Sequence, residues 1–107
     1  MTGDLAHPIL KQVKMENLNL TQLETTILTN LIENLYGEPG FSDVSPQDLS
    51  KWTNTGIKIT RGVLASLVKK DIIWIGDNGL DKSDFDFCRI VYLDHSHYNL
   101  HPEYKDC

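Results

Sequence analysis

Apolar residues recur at helical spacing through the first two thirds of the chain and at strand spacing after it. Leu20, Leu23, Ile27, Leu28, Leu31, Ile32 and Leu35 follow one another at intervals of three and four, the signature of one buried helix face. Thr21 with Glu24 three residues on supplies a capping box, each side chain satisfying an unpaired amide at the helix start. Gly37 is the expected stop, in the left-handed conformation of a C-terminal cap. Glu38-Pro39-Gly40 then reads as a turn, with Phe41 and Val44 as apolar plugs in the connection. Ser45-Pro46 opens a second helix, a capping hydroxyl followed by a proline whose missing amide costs nothing there. That helix is expected from Pro46 to about Thr53, with Leu49 and Trp52 facing inward. Asn54-Thr55-Gly56 makes a tight turn, Ile57 re-enters the core, and a third helix is expected from about Lys58 to Lys70.

Beyond the third helix the period drops to two. Residues 72–75, Ile-Ile-Trp-Ile, form a short β-rich run ended by Gly76-Asp77-Asn78-Gly79, and residues 85–93 read as the return strand. A helix, a helix-turn-helix and then a hairpin is the order of a winged helix, an α+β fold. The pattern divides the chain into an N-terminal arm over 1–18, a winged-helix domain over 19–93, and a C-terminal tail over 94–107. Val13, Met15, Leu18 and Leu20 suit either a short strand or an arm lying on the core.

The stretch "LTQLETTILTNLIENLY…VSPQDLSKWTNTGIKITRGVLASLVKKDIIWI" resembles winged helix-turn-helix DNA-binding domains of the MarR-like kind. The resemblance rests on Leu49, Gly56, Ile57, Leu64, Leu67, Lys69, Lys70, Ile72 and Ile73, and covers about half the chain. It implies a DNA-binding regulator, although winged helices also serve as protein-binding modules. The compact size and acidic flanks are also similar to small phage-encoded regulators. Two departures stand out. The family's usual glycine after the paired lysines is Asp71 here, and the usual basic wing is replaced by "DNGLDKSDFD". That segment holds four aspartates and one lysine, and phosphates should repel it.

Charge sharpens the picture. The whole chain carries a net charge of −5, which by itself argues against a polyanionic partner. Residues 45–70, however, carry five bases (Lys51, Lys58, Arg61, Lys69, Lys70) against Asp48, for a local +4. Local fields, not totals, steer a polyanion. On a helical wheel Thr60, Val63, Leu64, Leu67 and Val68 of the third helix form a core face, and Lys58, Arg61, Gly62, Ala65 and Lys69 lie opposite. Glycine inside a helix costs about 1 kcal/mol relative to alanine, so an outward Gly62 suggests close approach of another backbone or a groove edge. Arg61, near the helix start, suits guanine O6 and N7 in a major groove. Lys51, Lys58, Lys69 and Lys70 suit phosphates, and Ser66 at the edge of the face suits a phosphate or a base. The partner expected on this face is double-stranded DNA. A protein partner, with the acidic wing and tail as contact surface, is the alternative. Pairing of two copies through helix 1 or the tail is a further expectation.

Little else in the chain suggests chemistry. At 107 residues one domain is expected, large enough to bury roughly 60–70% of its unfolded surface. No apolar run approaches the roughly 18 residues of a membrane span, and residues 1–10 lack a signal-peptide pattern. Cys88 and Cys107 read as free thiols, and a cytoplasmic location follows as an expectation. His95, His97 and His101 in the tail, near Asp94, Glu103 and Cys107, have the residue types of a zinc site but lack the paired spacing of established ones. The preferred reading folds Tyr92, Leu93, Tyr98, Leu100, Pro102 and Tyr104 back over the domain, with the histidines at the rim. No phosphate loop, activated cysteine or tuned carboxylate pair is present, so neither an enzyme nor a cofactor is expected. Trp52 and Trp74 are expected in the core.

Overall fold

The computed structural model describes residues 18–35 and 39–101. Three helices, α1 (Gln22–Asn34), α2 (Pro46–Thr53) and α3 (Ile57–Lys69), precede strands β1 (Ile73–Asp77) and β2 (Arg89–Leu93) and a short 3-10 helix, His95–Leu100. The strands form an antiparallel hairpin with Ile73 opposite Leu93, Ile75 opposite Val91 and Asp77 opposite Arg89. The Val91 N–H donates at 2.8 Å to the Val44 carbonyl, so the segment before α2 lies along the free edge of β2. This is a winged helix.

The anticipated capping box of α1 is present, and the expected capping hydroxyl of α2 proves to be half of a second box. Thr21 and Glu24 cap α1 reciprocally, and Ser45 with Asp48 does the same for α2 behind Pro46. The core lies where the three helices meet the inner face of the hairpin. Ile27, Leu28, Leu31 and Ile32 of α1, Leu49 of α2, Leu64 and Leu67 of α3, and Ile73, Val91 and Leu93 of the hairpin are buried together. Leu100 of the 3-10 helix closes one side of that cluster. No helix among the described residues is long and apolar enough to cross a membrane.

Helix ends rely on residues other than glycine. α1 stops at Asn34, with Leu35 extended at ψ 134°, before Gly37, which lies outside the described residues. The His101 imidazole reaches the Leu35 carbonyl through Nε2 at 2.9 Å. His101 is therefore buried against the end of α1, not at the rim as expected. α2 is turned by Asn54, left-handed at φ 54°, whose N–H donates to Lys51 O while the Thr55 N–H donates to Ser50 O. α3 ends in a Schellman motif, with Asp71 N–H donating to Val68 O at 3.0 Å and Ile72 N–H to Leu67 O at 3.1 Å. Asp71 takes φ 58°, a conformation that glycine adopts freely. Aspartate tolerates it better than most residues but not without cost.

Several apolar positions lie elsewhere than their spacing suggested. Trp52 is 44% exposed because α2 has only eight residues and Pro46 and Leu49 already close its inward side. Trp74 is 45% exposed, since strand alternation gives the core to Ile73 and Ile75. It stacks instead on its cross-strand partner Tyr92, ring centroids 4.0 Å apart and 8° from parallel. The same alternation explains Gly76, where a Cβ would come within 3.0 Å of the Trp74 ring. Phe41 is also exposed, leaving Val44 alone as the buried plug, and Leu23 and Val68 lie at the surface edge of their helices.

The return strand is shorter than residues 85–93. Asp84 accepts from the Asp86 N–H, Asp77 accepts from the Gly79 N–H, and Asn78 Nδ2 donates to the Asp86 carbonyl. These short polar side chains offer the backbone local partners in place of a ladder. The ladder therefore ends at Asp77 and Arg89, with one further backbone bond from the Asn78 N–H to the Cys88 carbonyl at 3.1 Å. The arm over 1–17 and the tail residues Pro102, Glu103, Tyr104 and Cys107 lie outside the described residues.

The left-handed Asp71 generates a direct prediction. Asp71→Gly should raise stability by about 0.5 kcal/mol and Asp71→Val should lower it by about 1–2 kcal/mol, measured by urea denaturation of each variant.

Candidate nucleic-acid interface

The helix-turn-helix is tied at one carbonyl. Ser50 Oγ and Thr60 Oγ1 both donate to Thr55 O, at 2.5 and 3.2 Å, which fixes the start of α3 against α2. Thr60 is fully buried, as are Leu64 and Leu67 behind it. Lys58, Arg61, Gly62, Ala65 and Lys69 consequently emerge together on the outer side, all exposed. Lys58, Arg61 and Lys69 have no ion-pair or hydrogen-bond partner among the described residues. A Cβ placed on Gly62 would meet nothing within 4 Å. Its conformation and surroundings within the described residues thus impose no need for glycine. Lys51 is exposed on α2.

Two residues expected on this face are engaged elsewhere. Ser66 Oγ donates to Glu24 Oε2 at 2.7 Å, and Lys70 Nζ lies 2.9 Å from Glu24 Oε1. Glu24 also accepts from the Thr21 N–H at 2.8 Å. It is only 3% exposed. Burial pushes its carboxyl up, but the Thr21 amide, the Lys70 ammonium and the Ser66 hydroxyl together outweigh burial and bring it from an ordinary 4.5 to about 2. Glu24 was legible in the sequence as a capping residue only. Its second role follows from the packing of α1 across α3.

One residue near the face was missed. Arg61 borders a groove of about 320 Å³ with Pro46, Gln47, Leu64, Ala65, Ile75 and Arg89. Arg89 shares the inner face of β2 with Val91 and Leu93, at the end where the core gives out. The alternation of the return strand carried that signal, since residues 89, 91 and 93 must point the same way. The wing itself is acidic and exposed, with Asp77, Asp81, Asp84 and Asp86 against Lys82. Phe85 at its tip is 99% exposed. In the tail, Asp94 caps the 3-10 helix by accepting from Ser96, and those bonds hold its carboxyl below the usual range. No group of three or more His, Cys, Asp or Glu among the described residues is arranged to hold a metal ion.

The comparisons with known proteins bear on the fold. No family model and no curated protein matches the chain. A solved structure of a possible transcriptional regulator from Methanosarcina mazei Go1 is similar, with a TM-score of 0.58 at 17% identity. The match covers 90% of this chain and 76% of that one. At this identity the likeness concerns architecture.

The Glu24 cluster makes stability depend on acid in a defined direction. Its folded carboxyl titrates below the unfolded one, so its contribution is present above pH 4.5 and lost as pH falls toward 2. Glu24→Gln should cost about 2 kcal/mol at pH 7 and should flatten the fall in stability between those values, measured by urea midpoints across the range.

Proposed function

We propose that the chain is a small sequence-specific DNA-binding protein, a transcriptional regulator that places α3 in the major groove. The observation that carries this reading is the outer face of α3, with Lys58, Arg61 and Lys69 exposed and, among the described residues, unpartnered around the small residues Gly62 and Ala65. Arg61 reads base edges near the helix start, and the lysines, with Lys51, neutralise phosphates and set register. Ser66 and Lys70 contribute chiefly by holding α3 in place through Glu24. The acidic wing stays away from the phosphates. The architecture shared with a possible transcriptional regulator adds support, and so does the MarR-like sequence pattern of residues 49–73.

A second reading, a winged-helix protein-interaction module, is favoured by the fully exposed Phe85 among aspartates. Gel-shift titration separates the two. Wild-type protein should select a sequence from a random duplex pool and lose affinity steeply as salt rises. The triple variant Lys58→Ala/Arg61→Ala/Lys69→Ala should bind at least about 10-fold more weakly with a shallower salt slope. The DNA reading fails if no sequence is enriched at low salt and the triple variant behaves as wild type.

Gly62 adds an independent test. Gly62→Ala should stabilise the free protein by about 1 kcal/mol while weakening DNA binding, because the added methyl occupies the closest point of approach. Thermal denaturation and the same gel shift read the two effects.

A further inference from the structure

The wing tip and the groove beside α3 have opposite charge within one chain. At the tip, Phe85 is 99% exposed and stands between Asp84 and Asp86, with Asp81 and the single opposing Lys82 close by in sequence. The groove of about 320 Å³ has an apolar lining from Pro46, Leu64, Ala65 and Ile75 and is flanked by Arg61 and Arg89. Asp77 lies across the ladder from Arg89, yet no ion pair joins them, and Arg61 is likewise unpaired among the described residues. Among the described residues, a ring that would bury roughly 150–250 Å² on docking is left wholly in water, while an apolar slot between two unpaired guanidinium groups stands open.

We infer that the groove receives the wing tip of a second copy of this chain, Phe85 entering between Arg61 and Arg89 while Asp84 and Asp86 meet the two arginines. The groove lies beside Arg89, at the end of the ladder from which the loop carrying Phe85 departs. Two copies related by a two-fold axis therefore exchange tips reciprocally and close as a dimer. The contact is small against a standard protein interface of about 1,600 Å², so the dimer is weak, with dissociation on the order of 0.1 mM. Opposite charges flank the ring, so salt loosens it. The association needs no DNA. It covers Arg61, which makes the dimer and a helix in the groove of DNA mutually exclusive states.

Sedimentation of the full chain without DNA, from about 10 μM to about 1 mM in low salt, tests this. The apparent mass should rise from monomer toward dimer, and Phe85→Ala should weaken association roughly 10- to 100-fold. Phe85 touches nothing in its own fold, so circular dichroism of that variant should match wild type. Charge exchange gives the decisive reading. Asp84→Lys/Asp86→Lys and Arg61→Asp/Arg89→Asp should each remain monomeric alone, and an equal mixture of the two should recover the dimer, because both contacts are then restored with reversed sign in one. A wild type that stays monomeric at 1 mM overturns the inference. So does a dimer that Phe85→Ala leaves intact, or a charge-exchanged mixture that stays monomeric. None of these results depends on whether DNA is bound.

Discussion

The position of α3, on which every functional statement rests, is set by two polar clamps at opposite ends of the helix. At its start Ser50 and Thr60 converge on the Thr55 carbonyl. At its far end Ser66 and Lys70 reach across to the Glu24 carboxylate, which simultaneously caps α1. Apolar burial is not directional in itself, and the polar contacts add a geometric requirement to it. A buried carboxylate with three donors has one geometry that satisfies it and a high cost for any other. The clamps therefore reinforce the orientation that burial of Leu64 and Leu67 selects, and fix both ends of the helix against its neighbours.

That orientation decides what α3 offers to solvent. With Thr60, Leu64 and Leu67 inward, the outer side consists of three cations around two small residues, in a chain whose total charge is −5. The rest of the acid is kept on other elements, and the wing concentrates much of it. The result is a molecule with a basic face and an acidic projection from the same small domain. Such separation favours a polyanion at one site and repels it at the other, and it gives each copy a surface complementary to part of the next.

The wing shows how local chemistry limits a strand. Its aspartates and Asn78 bond to nearby backbone groups, so the ladder gives out just past Asp77 and Arg89. The loop beyond is held by short-range contacts and projects Phe85 with nothing behind it. In the ladder itself, Trp74 and Tyr92 stack on the outer face.

Elements set by neighbours in the chain were legible in the sequence. The capping box at Thr21, the capping hydroxyl of Ser45 with Pro46 behind it, the turn at 54–56 and the change from helical to strand period depend on residues within four or five positions of one another, and all are present in the fold. The basic outer face of α3 belongs to the same class, since a helical wheel needs only the sequence. Other features depended on contacts across tens of residues. Spacing marked Trp52 and Trp74 as apolar but not as uncovered, because coverage depends on what packs opposite. Glu24 announced a cap and concealed a bond to residues 66 and 70, and His101 looked like a rim residue until the end of α1 was seen beside it. Arg89 joined Arg61 only when the hairpin folded onto α2 and α3. Short-range hydrogen bonding and periodicity are written into consecutive residues, whereas burial, ion pairing and grooves belong to surfaces that only the folded chain brings together.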